Sequence, residues 1–275
     1  MLIGLTGSNG ILGKKLVSLS KNIKFSYFNG DIRNFNQVDN WVKNTNLDSI
    51  IHLAAIVPIK KVNLNNQKAY DVNYLGTKNL VDAIKLRKKN KIWFFYASTS
   101  HVYSKSNKLL KETSKVKPMN YYAFTKLKSE KYLINNKKHI NYCIGRIFSY
   151  SSHLQKRDYF IPNIISKLKN KRKSLIINNV NHYRDFLPIE DVAKAILILN
   201  KFKSEGIFNI CSSQKILLSD IVTLLNFKNK KIKFINEHLT SLIIGSNNKL
   251  KKLNWKPSHL NYLDYLKKYE KNYNF

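Results

Sequence analysis

Tyr122 and Lys126 are the residue pair in this chain best suited to moving a proton. They lie four apart in a helical pattern, so they share one helix face. An ammonium beside a phenol favours the phenolate and lowers its pKa towards neutrality. Such a phenol can trade a proton with a hydroxyl or carbonyl oxygen. Spacing alone does not single the pair out, because Tyr74 and Lys78 repeat it. Context separates the two. Ahead of Tyr122 runs Tyr96-Ala97-Ser98-Thr99-Ser100-His101-Val102-Tyr103, an apolar strand that ends in hydroxyls. A hydroxyl at a strand end can hydrogen-bond a reacting oxygen and stabilise its charge. The plainer reading of that cluster is a turn satisfied by its own hydroxyls.

The start of the chain supplies a matching ligand site. Leu2-Ile3-Gly4-Leu5 leads into Thr6-Gly7-Ser8-Asn9-Gly10-Ile11-Leu12-Gly13, and Ile11, Leu12, Leu16 and Val17 then recur at helical spacing. This is a strand, a tight turn and a helix N-terminus, which carries free N–H groups and binds phosphate. Gly7 can take the angles of the turn, Gly10 lets a pyrophosphate approach the main chain, and Gly13 lets helix and strand pack closely. The expected ligand is a dinucleotide. Tyr122 would then exchange its proton while hydride passes to or from a nicotinamide, and Lys126 can also hold the ribose hydroxyls.

Strand-like runs at 2–6, 23–28, 49–54, 92–98 and 142–147 alternate with helical patterns at 11–20, 36–43, 69–86 and 121–135. The alternation predicts an α/β fold with a doubly wound parallel sheet of Rossmann type. Beyond residue 150 the pattern loosens. Helices are expected at 159–168, 189–199, 217–225 and 262–269, with strands at 175–178 and 208–211. The division expected is a dinucleotide-binding domain at 1–150, with 189–211 returning to it, and a smaller substrate-binding lobe made mostly from 151–275. Such a lobe caps the carboxyl ends of the strands, where open α/β sheets bind ligands.

Composition narrows the class. The 275 residues are 43% hydrophobic and 24% charged, as in globular proteins. No apolar run reaches membrane-spanning length and the first residues form a core strand, so a cytoplasmic protein without a membrane partner is expected. The net charge is +33, but lysines are scattered along the whole length and arginines are few. A solvated surface is favoured over a nucleic-acid stripe. The densest run, residues 167–173, is the place for an anionic partner. Cys143 and Cys211 fall in predicted strands and read as small buried hydrophobes. His52 reads as satisfied at its strand, His101 as a turn residue sooner than a pocket residue, and no histidine has metal-ligand spacing.

These motifs together resemble the extended short-chain dehydrogenase/reductase family, the NAD-dependent epimerase/dehydratase group acting on nucleotide sugars. The likeness runs nearly end to end. Residues 6–13 look like its cofactor turn, Gly30-Asp31-Ile32-Arg33 like its adenine-contacting segment, and Ile51-His52-Leu53-Ala54-Ala55 like the strand end lining the cofactor. Asp71-Val72-Asn73-Tyr74-Leu75-Gly76-Thr77 resembles the following helix, which makes Tyr74–Lys78 the chance pair. Glu112, Pro118 and Tyr122-Ala123-Phe124-Thr125-Lys126 resemble the acid–proline–tyrosine stretch, and residues 184–192 the segment whose arginine binds the substrate diphosphate.

The resemblance implies Tyr122 as acid/base, Lys126 as its partner and Thr99 as the orienting hydroxyl. It places NAD or NADP on Gly7, Asn9, Gly10, Ile11, Gly13, Asp31, Ile32, Leu53, Ala54, Ala55, Asn73 and Lys126. It places a nucleotide sugar on Ser100, His101, Ser149 and Arg184, and it suggests a homodimer through the helices at 69–86 and 121–135.

Departures from the family pattern matter too. Ser100-His101 stands where the sugar 4,6-dehydratases carry Asp-Glu, which removes the acid and base of dehydration. Ser149 replaces a phosphate-contacting Asn. The cofactor half is short, as in some keto-sugar reductases. Asp31 sits near the spacing for a ribose-binding acid but could face adenine. Arg33 could meet the extra phosphate of NADP, though a solvated charge is the reading preferred. The activity expected is keto-sugar reduction or epimerisation at C4. The alternative is a non-catalytic dinucleotide-binding scaffold with RNA or another anionic partner.

Overall fold

The computed structural model describes residues 1–57, 59–171, 173–237 and 239–269. The first half runs β1 (Leu2–Thr6), α1 (Ile11–Ser18), β2 (Lys24–Phe28), α2 (Phe35–Asn44), β3 (Ser49–His52), α3 (Ile59–Leu64), α4 (Asn66–Tyr70), α5 (Gly76–Arg87), β4 (Ile92–Thr99), α6 (Tyr121–Asn135) and β5 (Ile140–Ile147). The second half runs β6 (Ser149–Ser151), α7 (Phe160–Lys169), β7 (Ser174–Asn178), β8 (Tyr183–Arg184), β9 (Phe186–Pro188), α8 (Ile189–Lys201), β10 (Gly206–Ile210), β11 (Ile216–Leu217), α9 (Leu218–Leu224), β12 (Lys231–Ile235), β13 (Leu242–Ile243), α10 (Asn248–Lys251) and α11 (Tyr262–Tyr269).

Six parallel strands form the central sheet in the order β10-β5-β4-β3-β1-β2. The unbroken apolar run of β4 follows from burial on both faces. Trp93 and Phe95 point into the core shared with α1 and α8, while Phe94 and Tyr96 point to the side of α5 and α6. From β1 the chain moves outward to β2 and returns on the other side as β3. That reversal opens a crevice at the carboxyl ends of β1 and β3, flanked by the glycine turn and residues 53–56.

The expected helix at 69–86 is instead α4, one π-helical turn over Asp71–Leu75, and α5. The interruption sits beside Gly76, where a Cβ would lie 2.6 Å from Ile32, and π-turns often mark functional segments. Cys211 is buried as expected, but it lies one residue beyond β10 rather than inside it.

The smaller lobe packs α7, α9 and α11 with β7 and β12 around Ile164, Ile165, Ile177, Ile221 and Leu266. Arg172, part of the basic run at 167–173, lies outside the described residues. No described helix is long and apolar enough to cross a membrane.

Candidate active site

The glycine turn is held by contacts that only glycine permits. Gly7 has φ +73°, and a Cβ on it would fall 2.6 Å from the Ala54 amide nitrogen. A Cβ on Gly13 would fall 2.3 Å from the Gly7 carbonyl oxygen and 2.8 Å from Ser8 Cα. Gly10 differs. A Cβ there would meet only the Gly7 oxygen, at 3.2 Å, so the fold does not require glycine at this position. The helix that Gly10 caps also starts with no side-chain cap. An open Gly10 before the uncapped end of α1 fits a pyrophosphate. Two substitutions separate the roles. Gly13→Ala is expected to destabilise the protein by about 1–3 kcal/mol through overpacking against backbone. Gly10→Ala is expected to keep the melting temperature but weaken dinucleotide binding roughly tenfold or more, since the backbone approach is blocked. Thermal melts with and without NADH and NADPH check both.

Behind the turn, His52 is satisfied on both ring nitrogens. The Thr77 hydroxyl donates to the Asn73 carbonyl, so it must accept from His52 Nε2 at 3.0 Å. Nδ1 then accepts from Thr6 Oγ1 at 2.6 Å, and Thr6 Oγ1 accepts from the Ala54 amide. Burial, together with the Lys126 charge, pushes His52 down to about 3, so it stays neutral. Asn73 is 1% exposed. Its amide accepts from the Ile56 N–H and donates to the Ile56 carbonyl and Thr125 Oγ1. The amide thereby ties the strand-end segment to α6.

At the end of β2, Asp31 and Arg33 form a two-pronged ion pair with a shortest distance of 2.6 Å. Arg33 is exposed, as a solvated charge should be, but it is paired with Asp31. Hydrogen bonds from Arg33 also hold the Asp31 carboxyl below its ordinary value. Ile32 is buried, and its carbonyl accepts from Asn79.

Helix α6 begins at Asn120, whose side chain accepts from the Ala123 amide. Tyr122 and Lys126 share its inner face, but no hydrogen bond joins them among the described residues. Lys126 is 2% exposed and lies 4.3 Å from the centre of the Tyr96 ring. Burial pushes its ammonium down to about 7, with Glu130 pulling the other way. Tyr122 is pushed well above the usual tyrosine value by burial, with the Tyr96, Tyr150 and Tyr159 phenols adding. The lowered phenol pKa expected from spacing is thus reversed, because desolvation outweighs a cation whose own charge is suppressed. Tyr122 is a protonated donor at neutral pH. The rival pair dissolves: Lys78 binds Asp82 at 2.5 Å, and Tyr74 packs on Tyr70 and Tyr132.

A cavity of about 270 Å³ opens at the end of β4. It brings together Thr99, Ser100, His101, Ser149 and Arg184 from separate stretches of sequence. Tyr150, Gln155, Tyr159, Phe160 and Ile161 complete a largely apolar wall, and no carboxylate among the described residues lines it. Tyr122 and Lys126 are not among the lining residues. Thr99 Oγ1 accepts from the His101 N–H at 3.3 Å, which leaves its proton to donate outward. Arg184 Nη1 donates to the Tyr183 carbonyl and to Ser241, while Nε and Nη2 have no partner among the described residues. Burial pushes this guanidinium down to about 10. No described carboxylate pairs with it.

His101 lines the cavity, contrary to the turn-residue expectation. Asn120 Nδ2 donates to its Nδ1 at 3.4 Å, which leaves Nε2 as the N–H donor. Burial and the Arg184 charge push it down to about 4. The unfolded chain protonates this ring below about pH 6.5, and the folded chain does so only near pH 4. Falling pH across that window therefore costs about 1.4 kcal/mol of stability per unit. The melting temperature of the native chain is expected to fall relative to that of His101→Asn as pH drops from about 6.5 to 4.5.

The missed wall residues, 150–161, lie where the sequence pattern loosens. Their one signal was the aromatic content of Tyr150, Tyr159 and Phe160.

A model of the NAD dependent epimerase/dehydratase family matches residues 3–211. GDP-6-deoxy-D-talose 4-dehydrogenase of Aggregatibacter actinomycetemcomitans is 28% identical over 221 residues, covering 77% of this chain and 74% of that protein. RMD from Pseudomonas aeruginosa, complexed with NADPH, superposes with a TM-score of 0.84 at 21% identity, over 97% of this chain and 96% of that one. The Thermus thermophilus UDP-glucose 4-epimerase complex with NAD gives a TM-score of 0.81 at 18% identity over 97% of both chains. The two structures share the fold described above.

Proposed function

The chain belongs to the NAD dependent epimerase/dehydratase family, and on that premise we propose that it is an NAD(P)-dependent enzyme that reduces, or inverts at C4, the sugar of a nucleoside diphosphate sugar. The observation that carries this reading is the presence of two kinds of site along the carboxyl ends of the parallel strands, one after β1 and one after β4. On one side stands a glycine turn with an open Gly10 before an uncapped helix. On the other is a cavity holding Thr99, His101 and an acid-free Arg184. A nicotinamide bound between them supplies or accepts hydride. Tyr122, kept protonated by burial, donates its proton to the carbonyl oxygen being reduced. Thr99 directs its hydroxyl at the same oxygen, and Lys126 holds ribose hydroxyls. Arg184 presents Nε and Nη2 as a fork for the diphosphate. The lack of a carboxylate among the described residues lining the cavity argues against dehydration, which needs an acid and a base there. A protonated Tyr122 favours the reductive direction.

We assign residues 1–150 and 189–211 to cofactor binding and most of 151–275 to substrate. We place the protein in the cytoplasm as a homodimer through α5 and α6, where Leu86 and Phe124 are exposed. The deciding experiment is to purify the protein, identify any co-purifying dinucleotide by mass spectrometry, and screen nucleotide sugars for nicotinamide absorbance change and for isomerised product. Turnover of NADH or NADPH assigns a reductase. Product without net cofactor change assigns an epimerase. Binding of RNA at high salt, with no nucleotide sugar bound and no turnover, would favour the scaffold reading.

A further inference from the structure

The parallel pairing of β7 with β12 joins two basic segments more than fifty residues apart in sequence. Lys231 stands opposite Ser174 and Lys233 opposite Ile176, and the Lys231 amide donates to the Lys173 carbonyl. Lys167, Lys169, Lys171 and Lys173 thereby meet Lys228, Lys230, Lys231 and Lys233, while residues 159–184 and 221–236 contain no Asp or Glu. Between them lies a groove of about 900 Å³. Lys167, Lys173, Lys231 and Lys233 line it together with Leu175, Ile176 and Ile232; Leu175 and Ile232 pack on the core of the lobe, which leaves Ile176 as its exposed aliphatic side chain. Ile176 is 60% exposed. No ion pair among the described residues reaches any of the four lysines.

We propose that this groove docks the protein on an anionic lipid surface, the ammonium groups on the headgroups and Ile176 against the glycerol and upper acyl region. The combination of clustered lysines with an exposed isoleucine among them selects that occupant. Clustered lysines attract anionic headgroups, and apolar side chains among them add burial at the interface. A single-stranded nucleic acid is matched less well, since among the described residues the groove lining has no aromatic on which bases could stack. The groove also leaves the reaction cavity free. Phe160 and Ile161 line that cavity, while Lys167 and Asn170 line the groove, about 10–15 Å further along α7. This contact is peripheral and needs no spanning helix, but it revises the expectation of no membrane partner.

Co-sedimentation of the full chain with vesicles tests the proposal. At about 0.1 M salt the protein is expected to pellet with phosphatidylcholine vesicles containing roughly one-third phosphatidylglycerol, and to stay in solution with phosphatidylcholine alone. Lys231→Glu with Lys233→Glu should lower the partition coefficient at least about tenfold. Ile176→Ser should lower it severalfold while leaving binding to single-stranded RNA unchanged. Lys21→Glu with Lys24→Glu makes the same charge change at exposed positions on the far edge of the sheet and should leave vesicle binding intact. Unchanged melting temperatures establish that each variant is folded, and Lys167→Glu with Lys173→Glu replaces any that is not. The proposal is overturned if anionic vesicles are not bound, if the distant pair weakens binding as much as the groove pair, or if Ile176→Ser has no effect on vesicles while RNA binding follows the groove lysines.

Discussion

Tyr122→Phe is expected to reduce turnover of the nucleotide-sugar substrate by about 100-fold or more, the usual contribution of a positioned acid or base. The substitution deletes one oxygen and keeps the ring, so the packing between α6 and β4 is preserved. The native phenol is held protonated by burial beside Tyr96, Tyr150 and Tyr159, so what is lost is a proton donor. Binding should survive. Neither Arg184 nor the glycine turn depends on this oxygen, and KM should move much less than kcat. Steady-state kinetics in the reductive direction, with a melting curve to verify folding, checks the expectation. Retention of more than about a tenth of native turnover would assign the proton to another group. Thr99, the Nε2–H of His101 and the phenols of Tyr150 and Tyr159 are among the other donors at the cavity.

Elements that rest on local chemistry were legible in the sequence. The turn at residues 6–13 could be read because φ +73° at Gly7 and the close approaches at Gly7 and Gly13 leave no alternative to glycine. The strand at 92–99 could be read because burial on both faces removes polar alternation, and the helix at 121–135 because its caps and periodicity agree. The cavity was legible only in part. Thr99, Ser100 and His101 end a readable strand, but the opposite wall comes from Tyr150, Gln155 and Tyr159 near short elements. Two- and three-residue strands such as β6 and β8 are too short to show a period. Burial was the other blind spot. Four-residue spacing puts Tyr122 and Lys126 on one face but says nothing of desolvation, which sets the direction of both pKa shifts.

Glu130→Leu is expected to be the most destabilising single change in this region, at about 3–5 kcal/mol, because it strands a buried guanidinium. Glu130 and Arg146 are 1% and 4% exposed and pair at 2.7 Å. Glu130 also accepts from Ser98 Oγ at 2.5 Å and from Arg146 Nε at 3.1 Å. Arg146 continues outward, with Nη1 donating to the Glu112 carbonyl and its plane 4.6 Å from the centre of the Tyr103 ring. Tyr103 donates to Asn209, whose backbone amide donates to the Glu112 carboxylate. The network thus joins α6, β4, β5 and β10 beneath the reaction cavity, and every charge in it has a partner. Removing Glu130 should lower the melting temperature by roughly 10 °C for a chain of this size. Arg146→Met alone should cost a similar amount by leaving the carboxylate unpaired. Glu130→Leu combined with Arg146→Met removes both charges and should recover most of the loss, since paired buried ions contribute little beyond well-packed apolar groups. Denaturant unfolding of the three variants checks the cycle. Additive losses in the double variant would show that each residue stabilises the fold independently, through its contacts to Ser98 and Tyr103 rather than through the pair.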